Sequence, residues 1–224
     1  MKEYVIIVAG GSGSRMKSDI PKQFIAVNGL PILMHTLQAF QKYSRALTII
    51  LVLPESQFSF WNNLCTQYQF HNSYQLVAGG ETRFHSVQNG LNHIQDANAL
   101  VAVHDGVRPV ITAHTIQHGF QMAKENGTAI TSMPVKDSLR FIDTDGQNKS
   151  VDRSAYRLIQ TPQTFRIDWM RTAFSRPYQT LFTDCASVLE SAGYPIHLIE
   201  GSYENIKITT PEDLQWAKVF LGKV

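Results

Sequence analysis

Short, uninterrupted apolar runs alternate along this chain with longer segments of helical periodicity, and no other feature restricts its fold as much. Tyr4-Val5-Ile6-Ile7-Val8-Ala9 is apolar throughout and rich in β-branched residues, the pattern of a strand buried on both faces. Residues 47–53 repeat it and stop at Pro54, residues 75–78 form a shorter version, and Leu100-Val101-Ala102-Val103-His104 is a further one. Between these runs, Ile32, Leu33, Thr36, Leu37 and Phe40 recur at helical spacing, and a helix is predicted from about residue 55 to 67. Gly79-Gly80 opens a helix carrying Val87, Leu91 and Ile94; Thr112 begins another carrying Ile116, Phe120 and Ala123. Such alternation implies right-handed βαβ units around a mostly parallel sheet, an α/β protein.

The rhythm breaks after residues 129–133. Residues 135–142 and 150–160 look extended, and Asp143-Thr144-Asp145-Gly146 between them carries an Asp-Gly turn signal. The stretch is too polar for a central strand, so a β-arm over about residues 135–160 is predicted to project from the domain. An exposed strand pair of this kind is marginal alone and seeks a partner surface. Helices follow near residues 167–175 and 184–192, then a strand at 196–199. The last helix has Thr210 as N-cap, Pro211 at its first position and Asp213 completing a capping box.

Composition narrows the function classes. At 224 residues, 43% hydrophobic and 17% charged, the chain suits one domain, residues 1–224, and disorder is excluded. A net charge of +2 does not suggest a nucleic-acid or membrane-surface protein but leaves anionic small molecules open. The apolar runs are far too short to span a membrane. Met1-Lys2-Glu3 leads straight into the first strand, and Cys65 and Cys185 lie far apart, so a reducing cytoplasm is the expected location.

Two segments carry the chemistry. Ala9-Gly10-Gly11-Ser12-Gly13-Ser14-Arg15-Met16 follows the first strand directly, and its glycines let backbone N–H groups turn inward as a nest for phosphate oxygens. A dinucleotide fingerprint fails because its last glycine position is Met16, which makes a nicotinamide dehydrogenase remote. A P-loop fails because Gly13 precedes Ser14-Arg15. What remains distinctive is cationic: Arg15, and Lys22 behind Pro21, suited to a triphosphate whose α-phosphoryl group and leaving pyrophosphate gather charge. A structural turn with surface cations is the plain alternative. His104-Asp105-Gly106-Val107-Arg108-Pro109 stands at the carboxyl end of a buried strand, where open α/β sheets bind ligands. There Asp105 can hold a metal or accept from a ligand hydroxyl, and Arg108 can grip a phosphate; alternatively the two simply pair.

Together with Pro21-Lys22-Gln23, Val151-Asp152-Arg153, Thr161-Pro162-Gln163, Thr183-Asp184-Cys185-Ala186-Ser187 and Asn205-Ile206-Lys207-Ile208-Thr209-Thr210-Pro211, these motifs occur in an order that resembles the 2-C-methyl-D-erythritol 4-phosphate cytidylyltransferase family. The resemblance implies a Rossmann-like nucleotide-diphospho-sugar transferase fold and transfer of a cytidylyl group from CTP to methylerythritol phosphate in isoprenoid precursor synthesis. It also implies a divalent metal, Mg2+, and a homodimer joined through the β-arm. Carried over, Arg15 and Lys22 resemble the pair that stabilises the pentacoordinate α-phosphorus. Ala9, Gly10, Gly11, Gly13, Gly80, Glu81, Ser86 and Gly106 match the cytidine and phosphate cradle. Asp105, Arg108, Ser138, Arg153, Thr161, Thr183 and Lys207 match the methylerythritol phosphate side, with Arg153 and Lys207 holding the attacking phosphate and the arm residues coming from a second subunit. The Mg2+ would be held mainly by CTP phosphates, with Asp105 as a candidate ligand. Gly10, Gly106, Ser138 and Cys185 stand where alanine, alanine, threonine and glutamate are commoner; only the last removes a charge.

The chemistry is coherent without the name. A sugar phosphate has its second pKa near about 6 and is mostly dianionic at neutral pH, so its oxygen needs no general base, and none is evident. A close alternative on the same fold is a ribitol 5-phosphate cytidylyltransferase; a different class is a non-catalytic nucleotide-binding regulator, against which Arg15, Lys22 and Lys207 speak. The eight histidines show no metal spacing, and His104 is expected to order the site rather than bind zinc. Trp61, Trp169 and Trp216 read as core or interface residues, and Cys185 as a small packing residue.

Overall fold

The computed structural model describes residues 1–11 and 20–222. The chain runs β1 (Lys2–Val8), a small hairpin of β2 (Ala26–Val27) and β3 (Leu30–Pro31), α1 (Ile32–Tyr43), β4 (Thr48–Leu53), α2 (Phe58–Gln67), β5 (Gln75–Ala78), α3 (Arg83–Asn92), β6 (Ala99–Asp105), α4 (Ala113–Asn126) and β7 (Thr128–Pro134). It continues through β8 (Leu139–Ile142), β9 (Asn148–Val151), β10 (Arg157–Arg166), α5 (Ile167–Phe174), α6 (Cys185–Ser191), β11 (Leu198–Glu200) and α7 (Pro211–Leu221). Seven strands form the central sheet in the order β11-β7-β10-β6-β1-β4-β5. Neighbours are parallel except at β10, which runs antiparallel to both β6 and β7.

The alternation of side chains along each strand splits the core into two layers. Tyr4, Ile6 and Val8 of β1 face one side with Val87, Leu91, Met170 and Leu189, beneath α3, α5 and α6. Val5 and Ile7 face the other with Leu37, Phe40, Trp61 and Phe120, beneath α1, α2 and α4. Because both faces are covered, β1, β4 and β6 had to be apolar at nearly every position. A third, smaller cluster of Val27, Ile32, Val107, Ile208 and Ala217 seats α7 against the β2–β3 hairpin. The α7 capping box forms as predicted, with Asp213 Oδ2 accepting from the Thr209 and Thr210 amides. Trp61 is fully buried and Trp169 stacks on Tyr194, whereas Trp216 stands exposed on α7.

The predicted arm is present but shorter. β8 and β9 pair as a separate two-stranded sheet whose turn is closed by Asp143 Oδ1 accepting from the Asp145 and Gln147 amides, with Gly146 at φ +78°. Residues 157–160, assigned from sequence to the arm, belong instead to β10 inside the central sheet, where Arg157 pairs with Pro134 and Leu158 with Met133. Exposure explains the difference: Arg157, Leu158 and Ile159 are solvent-facing like the arm although they pair in the sheet, while farther along β10 Thr161, Gln163 and Thr164 are buried, a cost that hydrogen bonds offset. Gln163 Nε2 donates to Asp184 Oδ2 at 2.7 Å, and its Oε1 accepts from the Cys185 amide at 3.0 Å.

Candidate active site

The registers bring the carboxyl ends of four parallel strands level: Val8 lies opposite Val52 and Asp105, and Val52 opposite Val77. From β1 the sheet grows to β4 and β5 on one side and to β6 on the other, so a topological switch point lies between β1 and β6, where such sheets bind ligands. A cavity of about 480 Å³ opens there. Its wall includes Ala9, Gly10 and Gly11 after β1, Gly79, Gly80 and Glu81 after β5, Ser86 on α3, and Lys22, Asp105 and Lys207. Gly80 has no room for a side chain: a Cβ would sit 2.4 Å from His85 Cβ. Its amide donates to Ser86 Oγ at 3.1 Å, which fixes the loop on the first turn of α3. Gly106 likewise allows close approach, since a Cβ there would lie 2.7 Å from Ala9 Cβ; its amide bonds to Val8 O across the switch point.

Asp105 is the electrostatic centre. Its carboxylate is buried and meets three cations: Lys207 Nζ at 3.0 Å, Arg83 at 3.3 Å and Arg108 Nε at 3.5 Å. Burial alone would raise its pKa, but the charges of Arg83, Lys207 and Arg108 outweigh that and hold the carboxyl well below the usual carboxylate range. Arg108 is itself buried and donates to Asn205 O at 2.8 Å. Asn205 in turn donates to Thr161 O at 2.8 Å, which ties the segment carrying Lys207 to β10.

Lys22 follows Pro21 in a short 3-10 turn and is buried against the cavity wall. The next residue sets its place. Gln23 Nε2 donates to Ala9 O at 2.9 Å and to Gln57 Oε1 at 2.8 Å, so the Pro-Lys-Gln turn is pinned to the end of β1. Among the described residues no three His, Cys, Asp or Glu side chains cluster as metal ligands. Both oxygens of Asp105 are already engaged by cations, so the described donors do not fit a resident metal ion.

A family model described as 2-C-methyl-D-erythritol 4-phosphate cytidylyltransferase matches residues 4–223. The chain belongs to this family. Curated relatives with that name include those of Bacteroides thetaiotaomicron, 49% identical over 99% of this chain and 100% of the relative, and Porphyromonas gingivalis, 51% identical over 98% of each. Among solved structures, the Francisella tularensis 2-C-methyl-D-erythritol 4-phosphate cytidylyltransferase is 34% identical, with a TM-score of 0.81 over 98% of this chain and 100% of that one. The Thermus thermophilus enzyme of the same name is 29% identical, with a TM-score of 0.80 over the whole of both chains.

Against the family's motifs, the fold brings Ala9, Gly10, Gly11, Lys22, Gly80, Glu81, Ser86, Asp105 and Lys207 onto one cavity wall. Gly106, Arg108 and Thr161 lie immediately behind it, where Thr161 Oγ1 accepts from the Asp105 amide at 3.1 Å. Three residues stay apart: Ser138 and Arg153 are exposed at the root of the arm, where Arg153 donates to Lys136 O, and Thr183 is exposed in the loop before α6. Gly13 and Arg15 lie outside the described residues. Arg83 escaped the sequence reading. It heads α3, placing positive charge where a helix favours negative, and Asp105 at 3.3 Å and Cys185 Sγ at 3.4 Å receive it. A cation at that unfavourable end was the available signal. Burial pushes the Cys185 thiol up, which suits the packing role assigned to it.

Proposed function

We propose that this protein transfers the cytidylyl group of CTP to the phosphate of 2-C-methyl-D-erythritol 4-phosphate, releasing pyrophosphate. The observation that carries the reading is the convergence, at the sheet's switch point, of a glycine-lined wall with Lys22, Asp105 and Lys207. Ala9, Gly10, Gly11, Gly80, Glu81, Ser86 and Gly106, with Gly13, serve the nucleotide; Asp105, Arg108, Thr161 and Lys207 serve the acceptor. A phosphate oxygen of the dianionic acceptor forms a bond to the α-phosphorus as the bond from that phosphorus to the bridging oxygen breaks. No base is needed, and the residues supply position and charge. Lys22 and Arg15 steady the charge that develops on the α-phosphoryl oxygens. Lys207, held by Asp105, meets the incoming phosphate. Mg2+ arrives on the CTP phosphates as part of the substrate.

Steady-state rates of pyrophosphate release with CTP test this reading. Methylerythritol phosphate should be strongly preferred over ribitol 5-phosphate, the acceptor that the relatives' names do not favour. The opposite preference overturns the acceptor, and no release with either overturns the transferase reading.

We further propose that two copies pair through the arm. Phe141, Ile142, Tyr156, Leu158 and Ile159 are exposed large apolar residues on the arm and the adjoining start of β10, and such patches mark contact surfaces. Pairing would deliver Arg153 and Ser138, which do not line the cavity of their own chain, to the neighbouring site. Arg153→Ala and Lys22→Ala chains co-purified as heterodimers should then recover activity that neither homodimer has, because one of the two sites carries neither change. No recovery in verified heterodimers counts against a shared site. The cytoplasm is the proposed location, in keeping with the free thiols Cys65 and Cys185; no helix among the described residues is long and apolar enough to cross a membrane.

A further inference from the structure

The loop that carries Asp105 and Arg108 has nearly every main-chain group assigned. The Gly106 amide bonds to Val8 O, the Arg108 amide to Asp105 O, and Val107 O accepts from the Ile208 amide. Gly106 O accepts from Thr36 Oγ1 at 3.0 Å. The groups at the two ends of the loop, the Asp105 amide and the Arg108 carbonyl, both lead to His104. Its Nε2 lies 3.0 Å from Arg108 O, and its Nδ1 lies 3.2 Å from Thr161 Oγ1, the atom that accepts from the Asp105 amide. The ring is fully buried, edge-on to Phe40.

Donor and acceptor roles follow by elimination. A carbonyl only accepts, so Nε2 carries the proton. In a neutral ring Nδ1 then accepts, and the Thr161 hydroxyl donates to it while receiving the Asp105 N–H. Burial lowers the His104 pKa to about 4, in keeping with a neutral ring.

We propose that His104 is a positioning residue for the acceptor side of the site, a neutral imidazole that clamps both ends of the 105–108 loop and thereby sets Asp105 and, through it, Lys207. The kinetic consequence rests on the cytidylyltransferase reading above; the clamp itself does not.

Nitrogen-15 NMR of the labelled full-length protein, with the His104 signals identified by their loss in His104→Phe, reads the ring directly. A neutral ring protonated on Nε2 is expected at neutral pH; protonation on Nδ1 or on both nitrogens overturns the proposal. The kinetic arm uses half-clamps. His104→Asn keeps an acceptor near the Thr161 hydroxyl, and His104→Gln keeps a donor for Arg108 O. Each should raise KM for the acceptor about tenfold, the effect of one buried hydrogen bond, while KM for CTP stays within about twofold. His104→Phe should raise acceptor KM further. Equal rises in both KM values, or none, mean a merely structural residue and overturn the positioning role. If the wild type turns over no polyol phosphate, the transferase reading fails, and the ring spectrum still decides the clamp.

Discussion

Asp105→Asn should leave the protein about 3 kcal/mol less stable and inactive at neutral pH. The carboxylate is the shared counter-ion of Arg83, Arg108 and Lys207, and removing one member of a buried ionic cluster leaves charge uncompensated at a cost of about 3–5 kcal/mol. The lower end applies because the Arg83 and Lys207 side chains remain 30% and 42% exposed, so water screens them. For a chain of this size that corresponds to a fall in Tm of roughly 6–12 °C. The pH dependence has a definite sign. The folded-state pKa of Asp105 is depressed, so its stabilisation is fully present above the unfolded value of about 3.9 and is lost only as pH falls through the lower folded value. Thermal unfolding of both proteins should therefore differ by a constant amount from about pH 8 to pH 5 and converge only in stronger acid. Equal stability at pH 7, or convergence near pH 6, would remove Asp105 from the centre of the cluster.

Lys22→Ala should lower kcat by about 10²–10³-fold, the loss expected when a donor aimed at developing charge is removed, roughly 3–4 kcal/mol. Its side chain runs past Gly11, where a Cβ would lie 3.8 Å from Lys22 Cε, and its main chain is fixed by Gln23. The ammonium is thus presented where the triphosphate would lie against the glycine-lined wall. KM for CTP should change far less than kcat, because the interaction strengthens as charge builds on the transferring group. Steady-state kinetics on a variant whose Tm matches the wild type checks this; an unaltered kcat would confine Lys22 to ground-state binding.

Much of this architecture could be read from local sequence because its physics is local. Strands β1, β4 and β6 are covered on both faces, so they are written as unbroken apolar runs. Helix α7 announces itself through Thr210, Pro211 and Asp213 within four positions. Glycine loops at strand ends locate the cavity wall. Strand β10 was hidden for the opposite reason. Its buried Thr161 and Gln163 look like loop residues until their partners appear, His104 at a separation of 57 positions and Asp184 at 21. No window as short as a single strand or helix contains both members of such a pair. Arg83 was hidden likewise: its partners Asp105 and Cys185 are 22 and 102 positions away.

The antiparallel strand of the central sheet, β10, decides how this chain tolerates insertions. β10 begins beside the arm and passes between β6 and β7 with Thr161 against the Asp105 amide. Residues added at the arm's tip, around Asp145 and Gly146, leave the register of β10 unchanged, since the hairpin closes on itself through β8 and β9. β10 already shifts register against β7 between Ile159 and Gln163, so a residue gained or lost there acts directly on Thr161 and carries its hydroxyl away from the amide it caps. For the register of the central sheet, growth of the appendage is therefore harmless at its tip and costly where it joins β10.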